Sequence, residues 1–216
     1  MHTGNVENNR AIRLNKSVST EPVSRAGNKL AGATRAFSYD FRNKVVLDIG
    51  SSTGGFTEYA LKRGAKKVIA VEKGTKQMKA PLRFDLRVEL HEKTDIFDVV
   101  SENRESTNNQ KTVIEYPDVI LADVSFVSLT KVLGYAKREL ANRDTDFLVM
   151  LKPQFEAEDW QMNRGVVKNE KIRREIIRRF EMWLKKNDFL IIKKRDNELL
   201  GKNGNRERFY WLKLHF

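Results

Sequence analysis

Residues 45–74 read VVLDIGSSTGGFTEYALKRGAKKVIAVEKG, and the fold turns on this stretch. The apolar, largely β-branched run VVLDI predicts a strand buried on both faces and closed by Gly50. A glycine-rich turn follows, then TGGFTEYALKRG with helical character and a stop at Gly64, then KKVIAVE as a second buried strand. Strand, turn, helix and strand in this order make a right-handed βαβ unit with parallel strands.

The alternation continues on both sides of the unit. Upstream, VSRAGNKLAGATRAFSYDF places Leu30, Ala33 and Phe37 at helical spacing, with Ser24 as cap, and predicts a leading helix. Downstream, RVELHEKTD is a third strand, DVILADVSF a fourth, LTKVLGYAKREL a helix and DFLVMLKPQF a fifth strand. Residues 98–117 read as an exposed, polar excursion. NEKIRREIIRRFEMWLKKN aligns Ile172, Ile176, Phe180 and Leu184 on one stripe, giving a surface helix with a basic exterior. DFLIIKKR and RERFYWLKLHF end the chain as antiparallel strands. The expected fold class is α/β: a Rossmann-like, doubly wound, mostly parallel sheet with an antiparallel terminal strand. One globular unit is expected over residues 23–216, after a flexible polar arm over residues 1–22.

Composition narrows the chemistry. With 41 Lys and Arg against 29 Asp and Glu, the formal charge is +12, which favours polyanionic partners, nucleic acid before membrane. The chain has no cysteine and three scattered histidines, His2, His91 and His215, so neither disulfides nor a Cys/His metal site is expected. No apolar run approaches the roughly 20 residues needed to span a bilayer, and the amino terminus lacks a signal-peptide core. A cytoplasmic protein is the simplest expectation.

In an open α/β sheet the first strand delivers its carboxyl end to the ligand crevice, where glycines let the backbone approach a ligand closely. The turn after Ile49 lacks the G-x-G-x-x-G spelling of a dinucleotide site and the G-K-[ST] ending of a Walker loop. It is flanked instead by two acids, Asp48 before it and Glu72 at the end of the second strand, 24 positions on. S-adenosylmethionine suits that set: it has a ribose to hydrogen-bond, no pyrophosphate to cradle, and cationic groups that favour carboxylates. Asp123 and Lys152 end the fourth and fifth strands at the same crevice. An ammonium beside a carboxylate there is either a plain ion pair or a functional group.

The blocks VSRAGNKL, LDIGSSTGGFTEYALKRGAKKVIAVEKG, DVILADVSFVSLTKV, LVMLKPQFE, GVVKN and GNRERF occur in order over residues 23–216. Together they resemble the TlyA, or hemolysin A, family of FtsJ-like ribose 2'-O-methyltransferases. The resemblance implies a class I methyltransferase fold and a Lys-Asp-Lys-Glu tetrad at Lys29, Asp123, Lys152 and Glu207. Lys152 would either take the proton of a ribose 2'-hydroxyl or align that hydroxyl. The resemblance further implies cofactor contacts from Gly50, Ser51, Ser52, Thr53 and Gly54, ribose contact from Glu72, and an adenine contact near Asp95. This chain departs from the family pattern at Ala26, where a glycine is usual, and at Asp95, where an asparagine is usual.

The resemblance also implies an S4-type RNA-binding domain ahead of this fold, for which 22 residues are too few. RNA recognition is then expected from the arm, a helper protein or basic faces. Two such faces are Lys168, Lys171, Arg173, Arg174, Arg178, Arg179, Lys185 and Lys186, and Lys62, Arg63, Lys66 and Lys67. The expected function is adenosylmethionine-dependent methylation of a ribose 2'-hydroxyl in structured RNA, ribosomal RNA or a ribosomal subunit. The alternatives are a catalytically degenerate RNA-binding relative and, less in keeping with the pattern, a membrane-active hemolysin without stable insertion.

Overall fold

A computed structural model describes residues 25–102, 111–201 and 203–215. The polar arm expected over residues 1–22, and Ser24 as cap, lie outside the described residues. Helix α1 spans Arg25–Phe37, α2 Gly55–Lys62, α3 Leu129–Glu139 and α4 Glu170–Lys186. Strands β1 (Val45–Ile49), β2 (Lys67–Glu72), β3 (Val88–Glu92), β6 (Val119–Ala122), β7 (Asp146–Leu151), β8 (Phe189–Asp196) and β9 (Arg208–Leu214) form one sheet. Its order is β3-β2-β1-β6-β7-β9-β8, parallel except for β9, which runs antiparallel to both neighbours.

Of the excursion expected over 98–117, residues 103–110 lie outside the described residues, and the segments on either side form strands. Val99–Ser101 (β4) and Thr112–Ile114 (β5) pair as a small parallel sheet, with Val99, Val100 and Ile114 buried. The polar composition of the segment masks these short apolar runs.

Period-two alternation divides the sheet between two cores. Leu47, Ile49, Ile69, Val71, Ile120 and Val149 face α3 and α4. Val46, Val68, Val119, Leu121 and Leu148 face α1 and α2. The central strands are buried on both sides, which is why they read as continuous apolar runs. At the amino-terminal end of the sheet, Asp146 accepts hydrogen bonds from Tyr39, Lys44 and Trp211. Burial pushes its pKa up, but those donors outweigh it and hold the carboxylate below the usual range.

Chain order reverses between β1 and β6: β2 and β3 extend one way from β1, and β7 extends the other way from β6. That switch point is where an open α/β sheet opens a crevice at its carboxyl edge. Gly50 follows β1 and Asp123 follows β6, so the two meet there.

Candidate active site

Gly50 has φ +77, and a Cβ at that position would lie 3.3 Å from the Asp123 carbonyl oxygen. Glycine is therefore needed both for the backbone conformation and for the approach of the two strand ends. Gly54 caps α2 at φ +91, and Leu82 lies so close that a Cβ would meet its Cδ2 at 2.3 Å.

Four of the amide donors of this turn are spent inside the protein. Gly50 and Ser51 N–H both donate to the Val71 carbonyl, Ser52 N–H donates to Glu72 and Gly54 N–H to Ser51. A turn with its amides satisfied in this way is not a phosphate cradle, which agrees with its departure from both phosphate-binding spellings.

A cavity of about 790 Å³ opens beside the turn. Gly50, Ser52, Glu72 and Asp95 line it, with Ile49, Val71, Ile96, Phe97 and Val127 as apolar wall and Asp123 at its β6 end. The Glu72 carboxylate is held by the N–H groups of Ser52 (2.8 Å) and Gly74 (2.6 Å). Asp95 caps a short turn through Phe97 N–H and pairs with Lys73 at 2.8 Å. Burial raises the Asp95 pKa, and the Lys73 and Phe97 hydrogen bonds more than reverse that.

Four of the expected contacts stand elsewhere. Gly54 is buried at the start of α2 and does not line the cavity. Thr53 is exposed and off the cavity wall. Ser51 is buried beneath the turn. Asp48 points to the α2 side, 1% exposed, and accepts from Thr57 Oγ1 at 2.6 Å. Alternation along β1 puts Asp48 on the opposite face from Ile49.

Burial pushes the Asp48 carboxyl up to about 7, against the Thr57 hydrogen bond and with help from the charges of Asp123 and Glu72. The unfolded group titrates near 3.8, so between these values the folded chain holds a proton that the unfolded chain lacks. Stability from Asp48 therefore falls as pH rises through that window, and the penalty is complete above it. Asp48→Asn is expected to flatten the unfolding free energy against pH between about 4 and 7, by up to about 1.4 kcal/mol per pH unit. Urea denaturation at several pH values measures this; an unchanged slope contradicts the assignment.

Three of the tetrad residues, Lys29, Lys152 and Glu207, line a second cavity of about 370 Å³, which shares Ser125 and Phe126 with the first, and the fourth, Asp123, lines the first. Lys152 leaves β7 extended, as the residue before a proline does, and Pro153 starts a short turn that ends the strand. Its Nζ lies 2.7 Å from Asp123 Oδ1 as an ion pair and donates to Ser125 Oγ at 2.9 Å. Lys29 reaches from α1 to the Glu207 carboxylate, both side chains being at most one-tenth exposed. Glu207 thus pairs with neither Arg206 nor Arg208; Arg208 is held by Asp196. Gly201 packs on the Glu207 carboxylate, where a Cβ would lie 2.9 Å from Oε1.

Other residues carry weight that sequence reasoning missed. Phe126 is 94% exposed and lies against Phe155 at the boundary of the two cavities, an aromatic ledge beyond the end of β6, where the sequence predicts a continuing strand. Glu156, last residue of the LVMLKPQFE block, holds the start of α3 through Leu129 N–H (2.6 Å) and Ser128 Oγ (2.7 Å). Asn205 ties Gly165 and Val167 to the loop before Glu207.

The basic faces are corrected in part. Arg173 is buried, 4% exposed, and bound to Asp196, Glu170 and the Arg206 carbonyl. Arg179 pairs with Glu158. Lys168, Lys171, Arg174, Arg178, Lys185 and Lys186 remain exposed. In the second group Lys62 pairs with Glu58, and Lys67 with Glu89 and Glu115. Among the described residues no cluster suits a metal ion, and no helix is long and apolar enough to cross a membrane.

A parallel sheet with one reversed strand, a glycine turn with spent amides and an acid on β2 define a Rossmann-like methyltransferase. Solved structures with that architecture include one from Pyrococcus horikoshii named for an RNA methyltransferase, TM-score 0.57 at 16% identity, over 91% of this chain and 87% of that one. The FtsJ-like methyltransferase profile matches residues 22–214, and the chain belongs to that family. It is 43% identical to Hemolysin A of Brachyspira hyodysenteriae, over 72% of this chain and 61% of that protein. It is 35% identical to the 16S/23S rRNA (cytidine-2'-O)-methyltransferase TlyA of Mycobacterium tuberculosis, over 88% of this chain and 68% of that protein. A solved Lactococcus lactis structure named for a hemolysin superposes with TM-score 0.80 at 32% identity, over 89% of this chain and 88% of that one. The chain thus spans about three-fifths to two-thirds of the length of these two curated relatives.

Proposed function

We propose that this chain transfers a methyl group from S-adenosylmethionine to a ribose 2'-hydroxyl of ribosomal RNA, alone or in a ribosomal subunit. The observation that carries the reading is the junction of the cavities: Lys152 and Asp123 stand as an ion pair where the larger cavity meets the smaller.

The larger cavity fits the cofactor. Glu72 offers carboxylate oxygens to ribose hydroxyls, Ile49, Val71, Ile96 and Phe97 offer an apolar slot to adenine, and Asp95 can accept from its amino group. When bound, the cofactor supplies an electrophilic methyl on a sulfonium. The smaller cavity then takes the target nucleoside. Ser125 engages one of the three N–H donors on Lys152, and the ammonium stands beside Asp123 as an ion pair, which leaves a donor free for the 2'-oxygen. This orients a lone pair of that oxygen and brings its proton beside Asp123. As the new C–O bond forms that proton becomes strongly acidic, so a carboxylate suffices to receive it. Positioning supplies most of the rate. Lys29 and Glu207 form the opposite wall as a mutually neutralised pair.

The exposed cations on and just before α4 are the surface for phosphate contacts, and a helper protein would supply further RNA recognition. The setting is the cytoplasm. A catalytically degenerate module is disfavoured, because all four tetrad residues are retained and paired. Calorimetry with adenosylmethionine should give a saturable one-site isotherm, and labelled methyl should enter unmethylated ribosomal particles, subunits or naked RNA. No isotherm and no label would reject the reading.

A further inference from the structure

We infer that Gln77 is the second half of the ribose site, donating to a hydroxyl oxygen whose proton Glu72 accepts. The inference rests on the cofactor reading and extends it to a residue outside the glycine turn.

A ribose presents two neighbouring hydroxyls, each a donor and an acceptor. A carboxylate accepts from both but donates to neither, so Glu72 leaves the hydroxyl oxygens without a donor. Within the nearby turn the N–H groups of Gly50, Ser51, Ser52 and Gly54 are already spent, and Thr53 and Gly55 do not line the cavity. Gln77 can supply the donor. It lines the cavity with Ser52 and Glu72, and its side-chain amide spans them. Nε2 donates to Glu72 Oε1 at 3.2 Å, and Oε1 accepts from Ser52 Oγ at 3.2 Å. Both contacts are at the long end for hydrogen bonds, whereas the backbone donors hold Glu72 at 2.6 and 2.8 Å. The carboxylate is therefore fixed by the backbone, and the amide is loosely held beside it.

Gly74 makes room for this arrangement. A Cβ there would fall 1.9 Å from Gln77 Nε2 and 3.1 Å from Glu72 Oε1. A side chain at position 74 would therefore push the Gln77 amide aside, although the φ of Gly74 lies outside the left-handed region, and the space that glycine leaves is filled by the amide. On cofactor entry, one Nε2 N–H turns from Glu72 Oε1 to donate its hydrogen bond to the ribose oxygen beside it.

Calorimetry with S-adenosylhomocysteine, adenosine, 2'-deoxyadenosine and 3'-deoxyadenosine tests this on the wild type and on Gln77→Ala. Gln77 is exposed, so the substitution should leave the thermal midpoint and circular dichroism unchanged. Gln77→Ala is expected to weaken S-adenosylhomocysteine about three- to tenfold, the worth of one hydrogen bond. It should also shrink the preference for adenosine over at least one deoxy analogue. Gly74→Ala should reproduce the loss by displacing the amide. Equal affinity and an undiminished deoxy penalty in Gln77→Ala would overturn the inference while leaving the cofactor reading intact. A wild type that binds none of the four ligands would overturn both.

Discussion

Lys152→Ala is expected to slow methyl transfer by roughly 10²- to 10⁴-fold, the range for a residue that manages the reacting hydroxyl. S-adenosylhomocysteine should still bind with nearly wild-type affinity. The separation follows from geometry: Lys152 lines the smaller cavity, whereas the larger one is walled by Glu72, Asp95 and the glycine turn. Removing the ammonium leaves Asp123 in place, and at 19% side-chain exposure this carboxylate retains some contact with water. The fold should therefore survive. Lys152→Arg tests geometry separately, because a planar guanidinium cannot take the place of an ammonium set between Asp123 and Ser125. Single-turnover rates with saturating cofactor measure the effect. Transfer by Lys152→Ala at the wild-type rate would remove this side chain from the mechanism.

The largest expected effect on stability lies at Lys29. Lys29→Ala leaves Glu207 charged, 3% exposed, and backed by Gly201 with, among the described residues, only a distant Asn197 amide at 3.5 Å. Stranding one member of a buried pair costs about 3–5 kcal/mol, a large share of a domain's stability. Replacing both partners by apolar groups of similar size, Lys29→Met with Glu207→Leu, is expected to recover most of that loss. It should not recover methyl transfer, because the opposite wall of the nucleoside cavity has lost its charges. Urea denaturation with the transition slope monitored, alongside single-turnover rates, separates the two consequences. A Lys29→Ala chain as stable as the wild type would contradict the buried pair, and an active double variant would make the pair structural only.

Most of the scaffold was legible because its central strands are buried on both faces and bounded by glycine, so VVLDIG and KKVIAVE admit one reading. The reversed β9 was legible from its alternation and the short loop before it. β4 and β5 were not, since three residues of apolar signal are lost in a polar segment. At the site, convergence of Asp123 and Lys152 followed from their places at neighbouring strand ends. Lys29 and Glu207 sit on a leading helix and in a terminal loop, and no local periodicity brings them together; only resemblance pointed to the pair. Asp48 shows the converse. Its position beside the turn suggested a ligand contact, and strand alternation turned it inward to Thr57. Arg173 failed for a related reason, because a cation on a basic helix reads as solvated until its burial against the Asp196 carboxylate is seen.

The account depends on a ribose oxygen being brought to Lys152 and Asp123. The direct measurement is nucleoside analysis by mass spectrometry of ribosomal RNA incubated with this chain and isotopically labelled adenosylmethionine. The account predicts label on the sugar of a 2'-O-methylated nucleoside, present with the wild type and lost with Lys152→Ala. Label confined to a base, or equal 2'-O-methylation by both proteins, would contradict it.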